Sequence, residues 1–594
     1  MTLSGSDWLI IVAYFVLSAA IGIYYTRRAG RSLADYFVSG RSLPWWLAGT
    51  SMVATTFAAD TPLAVTGLVV KYGVAGNWLW WNLALSGILT VFLFSRLWRR
   101  AGVLTDVEFV ELRYGGRPAA LLRGVRALYL ALPINLIIMG WVTLAMKTIL
   151  EDAFGIAGWK VPFLLFVITA GYSILSGLWG VIVTDFFQFL VAMGGSIVLA
   201  ILAVDRIGGL DQLVALATAH YGSHQIAVGI VPPLHGGWLP ISSLLVFLGV
   251  QWWAAWYPGA EPGGGGYVAQ RILATRDERH GLLATLWFNI AHYALRPWPW
   301  ILVALFAAVS YPDLAKPEAG YVRAMVDLLP SPLRGLLLAA FAAAYMSTIS
   351  THLNWGTSYL VNDVWLRFVR KGAGSKEQVL VSRVATLVLM LLALVVMRYI
   401  GSVEAGWRFL LAFGAGTGSV LILRWYWWRI NAWSELAAMG ASFVTSLALW
   451  QWTQLTGGDP TAGGYATVML VTVGVTTVVW IVVTFLTAPE SATVLDGFYR
   501  RVRPGGPGWR AVARRLGFGD EPIPGGALSW LNWVAGWVAV YAALFGVGEL
   551  LVGTALKALG FFVVAAAAFA VIARNLRHDA AFRSPAVDTP GGAP

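Results

Sequence analysis

Trp45-Trp-Leu-Ala-Gly-Thr-Ser-Met-Val-Ala-Thr-Thr-Phe-Ala-Ala-Asp-Thr-Pro62 is apolar enough to enter a bilayer, yet it holds five hydroxyls, an Asp and a Pro. Pro62 lacks a backbone N–H and clashes with the preceding turn. A helix interrupted here exposes carbonyl oxygens, which hydrocarbon tolerates only where they line a cavity. The stretch is therefore predicted to be a broken membrane helix; the simpler alternative is a Pro-kinked structural one. A second cluster lies in Ala339-Ala-Phe-Ala-Ala-Ala-Tyr-Met-Ser-Thr-Ile-Ser-Thr-His-Leu-Asn354. Ser347, Thr348, Ser350 and Thr351 recur there at i, i+3 and i+4, so they share one helical face. Carbonyls from a broken helix and hydroxyls from a neighbour are the neutral oxygens that a hard monovalent cation requires.

The rest of the chain frames these two stretches. Of its 594 residues 58% are hydrophobic and 12% charged, with a mean hydropathy of +0.71. A soluble protein of that size would lack the polar surface to cover its apolar side chains. Repeated apolar runs of about 20 residues match the ~30 Å of hydrocarbon that a helix must cross. An all-α polytopic membrane protein follows. With no Cys there is neither a disulfide framework nor a thiolate metal site. The net charge of +12 does not indicate nucleic acid, because the basic residues gather in alternate loops.

About fifteen spans are predicted, at 7–26, 44–70, 76–98, 122–150, 160–178, 180–204, 238–258, 281–309, 333–361, 380–400, 406–424, 432–456, 464–487, 528–550 and 556–574. Arg27, Arg28 and Arg31 follow the first apolar run, which places its positive flank on the wrong side for a cleaved signal peptide. The expected topology has the N-terminus outside and the C-terminus cytoplasmic, in a plasma (inner) membrane. Arg96, Arg99, Arg100, Arg126, Arg271, Arg276 and Arg279 are counted among the cytoplasmic loop charges. Spans two to eleven form two runs of five, 44–204 and 238–424, so the second run must be inverted relative to the first. Around them lie an N-terminal helix and loop (1–43), an extracellular loop (205–237), two peripheral helices (425–487), and a basic, irregular cytoplasmic loop (488–527). Two further peripheral helices (528–577) and a disordered tail (578–594) complete the chain. Arg424–Trp433 reads as an interfacial aromatic belt with basic anchors. Glu261 and Gly263–Gly266 lack the ending of a phosphate loop and read as a flexible helix end.

Asp185, at the start of an apolar helix, marks an ion path by default, because an unpaired carboxylate there is costly. Four patterns then converge: Asp35-Tyr-Phe-Val-Ser-Gly-Arg41, Ser51-Met-Val-Ala-Thr-Thr-Phe57, Gly177-Leu-Trp-Gly-Val-Ile-Val-Thr-Asp185, and Ala344-Tyr-Met-Ser-Thr-Ile-Ser-Thr351 with Asn354. Over about residues 7–430 the chain resembles the sodium/solute symporter family, which includes bacterial sodium/galactose, sodium/proline and sialic acid transporters. The resemblance implies a LeuT-type core of 5+5 inverted repeats, with one N-terminal and about four C-terminal extra helices. It implies a first sodium held by the carbonyls of Ala54, Phe57 and Ala344 and the hydroxyls of Ser347 and Thr348. A second sodium is implied at Asp185, Ser347, Ser350 and Thr351.

By the same resemblance, Thr56 stands where the proline type carries an acidic residue and the sugar type an Asn, and Asp60 and Thr61 stand where the sugar type has a Glu and a sugar-contacting Gln, so the sugar-binding pattern is not reproduced. Expected solute contacts are Thr56, Asp60, Thr61, Asn135, Gln251, Trp252 and Trp253, for a sugar, an amino acid or a carboxylate. Asn289, His292 and Arg296 share a face; Arg296 would bind a solute carboxylate, form an ion pair, or bond carbonyls freed near Pro297 and Pro299. The predicted function is sodium-coupled symport by a monomer in the bilayer, with no nucleic acid partner. Proton coupling through Asp60 or Asp185 is the alternative within transport. A membrane solute sensor would need an output domain, and an intramembrane enzyme would need a catalytic set; neither is visible in the chain.

Overall fold

The computed structural model describes residues 3–29, 41–103, 106–155, 178–233, 239–253, 262–456 and 462–579, with isolated positions at 158, 163 and 169. The span expected at 160–178, the Asp35–Gly40 part of the first family pattern, Glu261 and the tail beyond 579 lie outside these residues. Among the described residues the protein is all-helical, apart from an isolated bridge between Leu43 and Thr275.

The helices that organise the molecule are α1 (Gly5–Ala29), α2 (Trp45–Thr55), α3 (Asp60–Tyr72), α4 (Val74–Ala101), α5 (Gly116–Ala153) and α6 (Leu178–Ile207). They continue as α7 (Ile241–Gly249), α8 (Gly266–Ala274), α9 (Glu278–Ser310), α10 (Leu333–Val369), α11 (Ser375–Tyr399) and α12 (Val403–Tyr426). The C-terminal set is α13 (Ala432–Thr456), α14 (Ala462–Leu486), α15 (Ala492–Val502), α16 (Arg510–Arg515), α17 (Gly526–Val552) and α18 (Ala555–Arg577). Among the described residues ten helices are long and apolar enough to cross a membrane, or eleven if the bent pair α2–α3 counts as one span. Leu380, Val384, Leu387, Leu391 and Val395 leave an apolar face of α11 exposed. In water such a face would be a liability; hydrocarbon accepts it.

The 60° bend between α2 and α3 falls at Thr56–Ala59, ahead of Pro62. Pro62 occupies the first turn of α3, where a missing N–H costs nothing. α2 then lies directly on α9: a Cβ at Gly49 would come within 2.6 Å of the Ala284 carbonyl. α3 packs on the second half of α9, while α6 touches both α2 and α10. Three of the long spans contain internal π turns, at Thr90–Phe94, Leu130–Ile134 and Ile290–Leu295, and α10 ends in one at Tyr359–Val369. Such turns widen a helix locally and recur at functional sites.

Several surroundings differ from expectation. The segment 488–527 is not irregular. Its α15 and α16 bury Phe498 and Trp509 against Trp425, and Trp509 Nε1 donates to the Trp425 carbonyl at 2.7 Å. Arg424 and Trp425 are fully buried, so the start of 424–433 is core and not an interfacial belt. Its arginine faces Glu435 at 3.4 Å. α17 is no loose appendage either: Tyr541 and Trp533 donate to the carbonyls of Trp81 and Leu85, and Trp298 of α9 donates to that of Leu544. Aromatic side chains that pair one polar atom and bury the ring carry this packing.

Candidate cation and solute sites

α2 ends because its terminal hydroxyls replace the helical ladder. Thr56 Oγ1 donates to the Val53 carbonyl at 2.7 Å, and Thr61 Oγ1 caps the Thr56 carbonyl from the other side of the break at 3.1 Å. The Ala54 carbonyl accepts from Phe57 N at 2.9 Å. Backbone polarity that hydrocarbon could not satisfy is thus met inside the protein.

Asp185 on α6 ties this broken helix to α10. Its Oδ2 accepts from Ser51 Oγ at 3.0 Å and Thr55 Oγ1 at 3.4 Å, and its Oδ1 accepts from Ser347 Oγ at 3.2 Å. Thr348 Oγ1 donates to the Ala344 carbonyl at 2.9 Å, so these two expected cation ligands are adjacent. Ser350 Oγ donates instead to the Ser347 carbonyl at 3.2 Å, and Thr351 has no hydrogen bond to the carboxylate. Two members of the cluster escaped the sequence reading. Ser51 was visible only as part of a motif. Arg271 reads in the sequence as a loop charge, but it is 1% exposed and its Nη2 stands 3.9 Å from Asp185 Oδ2. The same guanidinium donates to Thr55 Oγ1 at 3.3 Å and to Ser51 Oγ at 3.5 Å. One carboxylate, three hydroxyls and one guanidinium from α2, α6, α8 and α10 thus meet at a single point.

A cavity opens beside the break. Thr56, Asp60 and Thr61 line it from the α2–α3 side and Asn289, His292 and Arg296 from α9. The last three face one another across a π turn, where Arg296 N bonds to the Ala291 carbonyl at 3.1 Å. Arg296 Nη1 donates to Thr56 Oγ1 at 2.9 Å and to the Val53 carbonyl at 3.1 Å, and its cation lies over the Trp300 ring. Of the three roles open to Arg296, bonding freed backbone is met, but at the broken α2 and not at Pro297. Thr56 also bonds His292 Nδ1 at 3.1 Å. Trp80, Trp141, Tyr293 and Trp407 supply aromatic walls that the sequence reading did not single out.

Four expected solute contacts are absent from these walls. Asn135 instead joins α5 to α10, donating to the His352 carbonyl at 2.9 Å and facing its ring. Gln251 Nε2 donates to the Leu79 carbonyl at 2.6 Å, Trp252 packs against Trp533, and Trp253 closes on Gly418. A tryptophan-rich helix uses most of its indoles for packing, and nothing in a Gln-Trp-Trp triplet tells which do.

At the far end of α3, Glu404 of α12 accepts from Lys71 Nζ at 2.8 Å and Tyr72 Oη at 3.1 Å and pairs with Arg408 at 2.5 Å. This contact fastens the second half of the broken helix to α12.

The family model "Sodium:solute symporter family" matches residues 36–441. The chain is 26% identical over 475 residues to sodium/glucose cotransporter 4 of Danio rerio, covering 72% of this chain and 69% of that protein. It is 25% identical over 478 residues to a sodium/glucose cotransporter of Vibrio parahaemolyticus, covering 75% and 85%. A solved substrate-bound, outward-open sodium-coupled sialic acid symporter shares the fold with a TM-score of 0.64 at 18% identity, covering 82% of this chain and 99% of that one.

Proposed function

The chain belongs to the sodium:solute symporter family, and on that footing we propose that it imports a small polar organic solute together with sodium by alternating access between two inverted five-helix repeats. The observation that carries this reading is the Asp185 bridge, which gathers hydroxyls from the broken helix and from α10 around one carboxylate. The first sodium would take the carbonyls of Ala54, Phe57 and Ala344 and the hydroxyls of Ser347 and Thr348. Binding there draws the break toward α10, which organises Thr56, Asp60 and Thr61 for the solute. A second sodium would share Asp185 with Arg271, and Ser347 would serve both ions. Ser350 and Thr351 would join only after a local rotation of their side chains.

Each sodium that enters down a 100 mV potential supplies about 2.3 kcal/mol, before its concentration gradient is added. Rocking of the repeats would part Lys71 and Tyr72 from Glu404 on one side of the membrane. The protein would act as a monomer in a plasma (inner) membrane, with its N-terminus outside and its C-terminus cytoplasmic.

Proton coupling keeps one supporting observation: Asp60 is 4% exposed, and its Oδ1 has no hydrogen-bond partner. The test is uptake by proteoliposomes of the first solute found to stabilise the purified protein, with sodium replaced by choline at fixed pH. Uptake that stops in choline supports sodium symport. Uptake that persists in choline and follows an imposed pH gradient refutes it.

A further inference from the structure

From two opposite charges facing one cavity, we infer that the solute is a zwitterion, carrying an ammonium and a carboxylate on a short skeleton. The inference rests on the cavity beside the break being the solute site. Asp60 and Arg296 both line it and are 4% and 1% exposed. Asp60 Oδ1 and Arg296 Nε and Nη2 are buried without a hydrogen-bond partner, and no ion pair joins the two residues. Buried charges are ordinarily paired, because leaving one bare forfeits its solvation without return. A ligand that brings the complementary charges completes both.

The orientation of each group is set by neighbours that remain when the ligand leaves. Arg296 is pinned through Nη1 by Val53 and Thr56. That leaves Nε and Nη2, the side-on edge of the guanidinium, for a carboxylate in bidentate contact. Asp60 stands at the first turn of α3, with the indoles of Trp141 and Trp407 beside it and Trp80 on the same cavity. A carboxylate in a cavity walled by indoles suits an ammonium, primary or alkylated, through hydrogen bonding to the free Oδ1 and cation–π attraction to the walls.

A neutral sugar would leave both charges incompletely paired, and a monocarboxylate would leave Asp60 facing it. Discrimination then arises from unpaired buried groups, the strongest form of rejection available to a site. The arrangement also links solute to ion. Thr56, which holds Arg296, sits between the Ala54 and Phe57 carbonyls proposed for sodium, so a carboxylate on Arg296 and a cation at the break bias the same four-residue turn.

The experiment is a thermal-shift and binding series on the purified full chain in detergent, in sodium and in choline. The probes are L-proline, L-alanine and glycine betaine. Each is compared with its one-charge analogues pyrrolidine, propionate and tetramethylammonium, and glucose completes the set. At least one zwitterion is expected to bind in sodium, with its one-charge analogues weaker by roughly a hundredfold or more. Asp60→Asn and Arg296→Lys should each abolish that preference. Both variants should keep a cooperative unfolding transition without solute, which establishes that they are folded. Sodium-dependent binding of glucose or propionate, or of no zwitterion in the set, overturns the zwitterion and leaves symport standing. Zwitterion binding that is equal in choline does the reverse.

Discussion

Replacing Asp185 by Asn separates its ion pair with Arg271 from its proposed contact with sodium. At 3.9 Å from Arg271 Nη2, with an effective dielectric constant of about 20, it attracts the guanidinium by about 4 kcal/mol. Removing one partner of a buried pair costs about 3–5 kcal/mol, because the other charge stays behind. Asp185→Asn should therefore lower stability by roughly that amount, and adding Arg271→Gln should recover most of it. If the carboxylate also ligates sodium, the stabilised double variant still lacks a charged ligand. Its half-saturating sodium concentration should rise by about ten- to a hundredfold, equivalent to about 1.4–2.7 kcal/mol, and the Hill coefficient should fall. The assay is sodium-dependent stabilisation and uptake, measured on wild type, both single variants and the double. A double variant with restored stability and wild-type sodium dependence would refute the cation role and leave Asp185 as a structural counter-ion.

Three further outcomes are expected. Ser347→Ala and Thr348→Ala each remove a hydroxyl of the proposed first site and should raise the half-saturating sodium concentration by about tenfold, the equivalent of about 1.4 kcal/mol; uptake titrations check it. Glu404→Gln loosens the contact with Lys71 and Arg408. In a chain without cysteine, a Thr61→Cys reporter should then react faster with a membrane-impermeant thiol reagent, by about fivefold for each kcal/mol of shift toward the open side. Asp277 caps α9, accepting from His280 N at 2.8 Å and its ring at 3.0 Å. Burial opposes its ionisation, but the His280 bonds outweigh that and hold the carboxyl below the usual range. A folded value below the unfolded one of about 3.9 means that this stability is present above that pH and lost as pH falls through the folded value. Asp277→Ala should cost about 1 kcal/mol near neutrality, and the difference in Tm from wild type should vanish in acid.

What could be read in advance depended on how local the physics was. The break at 56–59 was legible because a proline and clustered hydroxyls act within a few residues of chain. The hydroxyl face at 347–351 was legible because helical periodicity alone brings those positions together. Asp185 stood out because an ionisable group in an apolar run always needs a partner. That partner was not legible: Arg271 looked like one more cytoplasmic arginine, and only the docking of α8 against α2 buries it beside Ser51 and Thr55. The packing of Gln251, Trp252 and Trp253 away from that cavity was not legible for the converse reason, since an indole that packs and an indole that lines a cavity have the same sequence.

By itself, then, the sequence determined the class of molecule, its broken helix and the oxygen-rich face expected to meet it, since hydrophobicity, proline and periodicity act along the chain. Only the tertiary structure decided which charges meet. It placed Arg271 beside Asp185, set Asp60 and Arg296 on one cavity without an ion pair, and packed α17 against α9. Those outcomes depend on distances between helices far apart in sequence, and the pairing of buried charge is settled by such distances.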